Sequence, residues 1–537
     1  MSVFSPTEVA VRKTLSRAVL GVTVLGLAAL GLPGSAAAVP APREVERSVT
    51  DIVPVPVEAK ADPKANFTLT PLTVIRAGQG AGDVAAYLRG LLRTSTGYAL
   101  PVVQRSAGLP AISLEVGHAD PRVGTEGYQL DVAKSGVTLK ADTAAGLFEG
   151  VQSLRQLLPA TIDAKSVQFR ASWTVAGGSV LDYPRFGYRG AMLDVARHFF
   201  TPSQVKLYID QIAQYKINTL HLHLADDQGW RIEIKSWPRL ATEGGKGAVD
   251  GDPGGYYTQA EYKDIVAYAA SRHITIVPEI DMPGHTNAAQ ATYAELNCDG
   301  VAVPPRTDTE VGYSSLCISS PTTYKFVEDV IRELAAITPG KYLGIGGDEA
   351  HSTTDADYKT FYQKVSPLVA KYGKLITGWH EISKTQPPAS AIPQYWDQGG
   401  ANADVAAAAA RGNKILMSPS NHAYLDMKYN AQTPLGQDWA GLVEVKDAYD
   451  WDPATLVDGV GESSVAGVEA PLWTETLRTS DNLEYMAFPR LAGIAEIGWS
   501  PQASHNWDAY RERLAKQAPR WQAQGIDFYR SPQVDWR

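Results

Sequence analysis

The sequence predicts an α/β protein, an eight-stranded β/α barrel of the TIM type preceded by a small α+β domain. Three observations predict it. From Tyr188 onward, short apolar strand-like runs recur eight times, most of them separated by helical stretches. Upstream, alternating strands are mixed with only two helices. Residues able to do chemistry collect where the eight runs end, the face on which such barrels build their sites. A doubly wound open sheet is the competitor, but no Gly-rich phosphate fingerprint follows the first run.

The segments follow in order. Arg12, Lys13 and Arg17 precede an apolar run from Ala18 to Leu32, and "GSAAAVPAP" comes next. A basic region, an apolar region and small residues make a secretory signal peptide, residues 1–38, with cleavage expected near Ala38 and the protein secreted. The run contains glycines and is short for a membrane span. Residues 39–65, rich in Pro, Val and charge, read as an exposed linker or arm. Residues 66–183 read as the α+β domain. "LTVIRA", "ISLEV", "YQLDV" and "VTLKA" alternate as strands, and Leu147, Val151, Leu154 and Leu158 fall at helical spacing. Residues 184–537 read as the barrel. Its helices carry start signals: Thr201-Pro202, the Thr258–Glu261 capping box and Ser320-Pro321. One irregularity is "ISKTQPPASA" between the fifth and sixth runs, too short and Pro-rich for a full helix.

Composition narrows the function. The 537 residues are 44% hydrophobic and 20% charged, with a net charge of −9. Loss of residues 1–38, which hold three basic residues and Glu8, takes the charge to −11. An acidic secreted chain is poorly suited to nucleic acid or anionic lipid, so neither is expected as a partner. Cys298 and Cys317 are the only cysteines. In an oxidising compartment they are expected to pair, and two cysteines alone make no structural zinc site.

The strand ends give a consistent set of groups. The first run ends at Arg197-His198 and the second at Asp226-Asp227. The third gives Glu279, Asp281 and His285, and the fourth Asp348 and Glu349. Trp379, Trp396 and Trp473 follow on the fifth, sixth and eighth, with Glu475 after the eighth, and Tyr424 and Asp426 follow the seventh. Indole faces suit the C–H faces of a sugar or an acetyl methyl. Arg, Asp and Glu suit hydroxyls. "HLHL" (His221, His223) resembles the paired histidines of metal hydrolases, but the sixth run offers no further ligand, so both are expected inside the barrel. No G-x-S-x-G turn marks a serine nucleophile.

"DVARHFF", "HLHLADDQGWRIEI", "EIDMPGHTNA", "GGDEAH", "GWHE" and "YWDQ" together resemble glycoside hydrolase family 20, the secreted β-N-acetylhexosaminidases, over about Tyr188–Trp499. The resemblance implies exo-acting, retaining release of terminal β-linked N-acetylglucosamine or N-acetylgalactosamine, with an oligosaccharide or glycan end as substrate and neither cofactor nor metal. It implies a substrate-assisted mechanism in which the substrate's own acetamido oxygen is the nucleophile. Glu349 is then the acid/base, and Asp348 holds the acetamido N–H. Arg197 binds the 3- and 4-hydroxyls, Asp426 and Glu475 the 4- and 6-hydroxyls, and Tyr424 the acetamido oxygen. Trp379, Trp396 and Trp473 wall the sugar. His285, with Asp226 and Asp281 behind it, tunes Glu349. A disaccharide-releasing relative and a non-catalytic carbohydrate-binding protein are the alternatives.

Overall fold

The computed structural model describes residues 47–536, so the signal-peptide expectation lies outside it. Eight parallel strands close into a barrel: β1 (Tyr188–Asp194), β2 (Thr219–His223), β3 (Thr275–Glu279), β4 (Tyr342–Gly344), β5 (Leu375–Trp379), β6 (Ile392–Tyr395), β7 (Ile415–Met417) and β8 (Val465–Leu472). β8 returns to pair with β1, Tyr188 opposite Gly467 and Leu193 opposite Leu472. Strands covered on both faces read as continuous apolar runs, and all seven residues of β1 are buried.

The surrounding helices begin where the start signals stand. Pro202–Ala213 is capped by Gln204 accepting the Thr201 N–H, and Gln259–Ala270 by the reciprocal Thr258–Glu261 pair. Between β5 and β6 the irregular stretch forms only a 3-10 turn, His380–Thr385. Pro387 and Pro388 supply no backbone donors to carry a helix further.

The N-terminal domain is a seven-stranded mixed sheet carrying two helices, Gly82–Thr96 and Ala144–Leu157. The expectation of an exposed arm over residues 39–65 is corrected within the described part. Glu58–Ala61 is the sheet's edge strand, antiparallel to Gly178–Asp182, and Val49, Ile52 and Val53 are fully buried. Three of its four residues are exposed, so this edge strand needs little apolar content and its composition hid it.

The seam between sheet and barrel is polar and buried. Asp182 accepts from the Tyr128 hydroxyl (2.7 Å), the Val57 N–H (3.1 Å) and the Trp499 indole N–H (2.9 Å), while Lys216 Nζ stands 3.7 Å away. Arg189 and Asn218 of the barrel both donate to Glu126 of the domain. Cys298 and Cys317 are disulfide-bonded in the segment after β3, as expected. No helix among the described residues is long and apolar enough to cross a membrane.

Candidate active site

The two neighbouring acids at the end of β4 are separated by a backbone turn. Gly346 (φ +59°) and Gly347 (φ +106°) both adopt left-handed conformations. A Cβ on Gly346 would lie 1.7 Å from Asp281 Oδ1, the atom that accepts the Gly347 N–H at 2.9 Å. Glu349 itself is left-handed (φ +44°), a strained conformation for a residue with a side chain. The side chain of Asp348 is 12% exposed and that of Glu349 29%.

His285 links them. Its Nε2 lies 3.4 Å from Glu349 Oε2 and 3.6 Å from Asp348 Oδ2, and its Nδ1 lies 3.1 Å from Asp226 Oδ1. Burial opposes its charge, but Asp226 and Asp348 outweigh burial and hold it protonated well above the ordinary histidine range. Burial, then the neighbouring Asp281, pushes the Asp348 carboxyl well up. Asp281, raised to about 6 by burial, stands behind Asp348 and the glycine turn, whereas His285 takes its backing from Asp226.

Arg197 leaves β1 on a loop that Asp194 pins. Asp194 accepts the N–H groups of Ala196, Arg197 and Thr474, joining the ends of β1 and β8. The guanidinium places Nη2 2.8 Å from Asp226 Oδ2 and lies 4.8 Å over the Trp473 ring. Its Nε and Nη1 have no hydrogen-bond partner. Both oxygens of Asp426 and Oε2 of Glu475 are likewise buried and unpartnered, and burial raises both carboxyl pKa values. A buried polar atom without a partner costs stability unless a ligand supplies one. The barrel mouth thus holds unpaired donors and acceptors of the kind that sugar hydroxyls complement.

The walls are aromatic. Trp379 and Trp473 lie with ring centroids 5.5 Å apart, and Tyr424 is 6.3 Å from Trp473. Trp396 donates its indole N–H to Glu381 at 3.2 Å. Arg197, Asp226, His285, Asp348, Glu349, Trp379, Tyr424 and Trp473 are thus linked by contact around this mouth, whereas Glu279 lies deeper, against His221 and His223. Trp439, half exposed, was not anticipated. It meets Trp396 and Tyr424 edge-on, each with centroids 5.9 Å apart. Asp194 was missed too, since its work is on backbone N–H groups.

His221 and His223 lie inside the barrel, as expected. His221 is bonded to Glu469 and stands 3.2 Å from Glu279 as an ion pair, and His223 is bonded to Glu279 and Asp226. Carboxylate–imidazole trios such as Asp226, Asp227 and His285 are close enough to hold a cation. In that trio His285 Nδ1 already faces Asp226, and Asp227 accepts from Ser314 and the Asn287 N–H, so we assign no metal.

A parallel barrel whose mouth encloses buried acids, an arginine and indole faces is a glycoside hydrolase in its chemistry. The glycosyl hydrolase family 20 catalytic-domain model matches residues 186–359 and 352–502, and the family's domain 2 model matches residues 49–183. A β-N-acetylhexosaminidase of Cellulomonas fimi is 41% identical over 490 residues, covering 90% of this chain and 97% of its own. The structure of the GH20 β-N-acetylhexosaminidase from Streptomyces coelicolor A3(2) superposes with a TM-score of 0.89 at 54% identity, covering 91% of this chain and 99% of its own. A mutant Streptomyces plicatus β-hexosaminidase in complex with product (GlcNAc) gives a TM-score of 0.89 at 56% identity, covering 91% and 98%. The chain belongs to glycoside hydrolase family 20, and it is a β-N-acetylhexosaminidase.

Proposed function

We propose that Glu349 is the single acid/base and Asp348 the acetamido anchor of an exo-acting, retaining enzyme that removes a terminal β-linked N-acetylhexosamine from an oligosaccharide or glycan. The observation that carries this reading is the glycine turn. It separates two consecutive acids, one deeply buried and one nearer the mouth, with His285 between their oxygens. Two carboxyl groups facing each other across a bond would instead suit a protein nucleophile.

The sugar's acetamido oxygen attacks C1. The C1–O bond to the leaving group breaks, and Glu349 gives its proton to the departing oxygen. Asp348 accepts the acetamido N–H and balances the positive charge of the oxazolinium ring. Charge of that sign favours the Asp348 anion, which burial alone disfavours. Water then attacks C1, Glu349 takes its proton, and the ring opens to the β-anomer. Holding the internal nucleophile in place supplies much of the rate. Arg197, Asp426 and Glu475 offer their unpartnered atoms to hydroxyls of the sugar, and Tyr424 donates to the acetamido oxygen. Trp379, Trp396 and Trp473 pack on the sugar's apolar faces, and Trp439 extends that wall.

Two measurements test it. Proton NMR of early product shows the β-anomer first, and appearance of the α-anomer first would refute the mechanism. Glu349→Ala loses far more kcat/KM on chitobiose than on an aryl glycoside with a good leaving group, because only the sugar alcohol needs the proton. Equal losses on both substrates would remove Glu349 from the acid role. The basic and apolar N-terminal region, together with the disulfide, supports export to an oxidising compartment. Mass spectrometry of the exported protein is then expected to place its first residue near Val39.

A further inference from the structure

We propose that His223 is a positioning residue for this reaction, fixing Asp226 as a fork between Arg197 and His285. Asp226 is shared. Its Oδ2 forms an ion pair with Arg197 Nη2 at 2.8 Å and accepts from His223 Nε2 at 2.7 Å. Its Oδ1 accepts from His285 Nδ1 at 3.1 Å and from the Asp227 N–H at 2.6 Å. One carboxylate thus joins the residue read as gripping the sugar to the residue that touches Glu349. Any rotation of Asp226 would disturb both.

His223 stands where it can prevent that rotation. Its Nδ1 lies 2.6 Å from Glu279 Oε1, so each ring nitrogen faces a carboxylate oxygen. An imidazole between two acceptors needs a proton on both nitrogens. A related arrangement lies one step deeper, where His221 Nδ1 is bonded to Glu469 at 2.9 Å and its Nε2 stands 3.2 Å from Glu279 as an ion pair. The Tyr188 hydroxyl and the Gln394 amide both donate to Glu469. Glu469, His221, Glu279, His223, Asp226 and His285 therefore form a buried column of alternating sign, running through the barrel core to Glu349. The other groups facing His223 are Asp281, with a carboxylate oxygen within 4.8 Å, and Trp473, set edge-on with ring centroids 4.9 Å apart. His285 also faces Asp227, Asp348 and Glu349. Despite burial, the adjacent carboxylates raise His223 to about 9 and His221 to about 10, in keeping with two protons on each.

The inference rests on Glu349 being the acid, so wild type and Glu349→Ala are run beside the two informative variants, His223→Gln and Glu279→Gln. All are assayed on chitobiose across pH, with folding followed by circular dichroism. Removing the His223 cation makes Glu349 hold its proton to higher pH. His223→Gln should therefore lower kcat/KM by about tenfold to a hundredfold, the scale of a small misplacement at a distance. It should also move the basic limb of the profile upward by about half a pH unit or more. Glu279→Gln keeps the column's shape but removes one of its negative charges, while Asp226 still faces the His223 Nε2 proton, so its basic limb should move downward. Opposite movements in two folded variants establish the positioning role. Unmoved limbs, movement in one direction only, or a loss merely proportional to the unfolded fraction would overturn it. If one variant fails to fold, the other variant's limb decides alone. Full activity in Glu349→Ala would instead overturn the acid assignment and this inference with it.

Discussion

At the scale of single residues, the adjacency of Asp348 and Glu349 is made useful by the two residues before them. Gly346→Ala would have to fit a methyl group where Asp281 Oδ1 lies and hold φ +59° with a side chain. We expect a folded but less active enzyme, with stability reduced by about 1–3 kcal/mol, read by urea denaturation alongside kcat. Asp348→Asn keeps the shape and removes the charge. Ring closure is common to every substrate, so kcat/KM should drop by roughly two to three powers of ten for good and poor leaving groups alike. A loss that tracked leaving-group pKa would mean the two roles are exchanged. These residues were legible in the sequence because a strand, two glycines and two acids stand in one short stretch, and the barrel assignment said which end mattered. Trp439 was not legible. It reaches the mouth from an irregular loop in which no periodicity distinguishes a pocket indole from any other.

At the scale of elements, the disulfide closes a loop of the site. Within it Ser314 donates to Asp227 Oδ1 at 2.7 Å and accepts the Thr286 N–H at 3.0 Å. Ser352, three residues after Glu349, binds back to the Ser314 carbonyl at 2.9 Å, and its N–H donates to the Gly312 carbonyl at 3.1 Å. The loop thus braces both the Asp226-Asp227 pair and the chain leaving the acid. Replacing both cysteines by serine should cost about 3 kcal/mol from the freed unfolded chain. It should also lower kcat, because the brace loosens. An unchanged kcat in the folded double variant would show that the loop's hydrogen bonds suffice. The pairing itself was legible from two cysteines behind a basic and apolar N-terminal stretch, but the bracing was not, since serine-to-backbone bonds leave no pattern. Strands were legible where both faces are buried, as in β1. Glu58–Ala61 was not, because its own residues are mostly exposed, prolines stand close on both sides, and its partner strand lies more than a hundred residues away.

At the scale of the whole molecule, pH dependence and cooperativity follow from what is buried. His221 and His223 are raised from 6.5 to about 10 and about 9 in the folded protein. Their contribution to stability is fully present below pH 6.5 and is lost as pH rises toward 9–10. Glu279, lowered to about 2, acts in the opposite sense, its contribution being lost as pH falls from about 4.5 toward 2. The Tm should therefore fall between pH 7 and 10, and the Tm difference between wild type and His221→Gln should be largest near pH 6 and close by pH 10. A difference constant with pH would assign the effect to packing. How the two domains join was the least legible feature, because a seam made of Asp182, Lys216, Arg189 and Glu126 draws its partners from distant parts of the chain. Asp182 gathers one donor from the chain before the sheet, one from a sheet strand and one from the barrel's last turn of helix at Trp499. Asp182→Ala would leave the Val57 N–H and the Trp499 indole N–H without an acceptor, the Tyr128 hydroxyl with Ser153 alone, and Lys216 without its paired anion. Each orphaned buried donor costs about 1–3 kcal/mol, against a total stability on the order of 5–15 kcal/mol. Because the lost bonds reach into both domains, calorimetry should show one cooperative transition displaced to markedly lower temperature. Two separated transitions, with the upper one at the wild-type temperature, would show that the barrel stands without the seam.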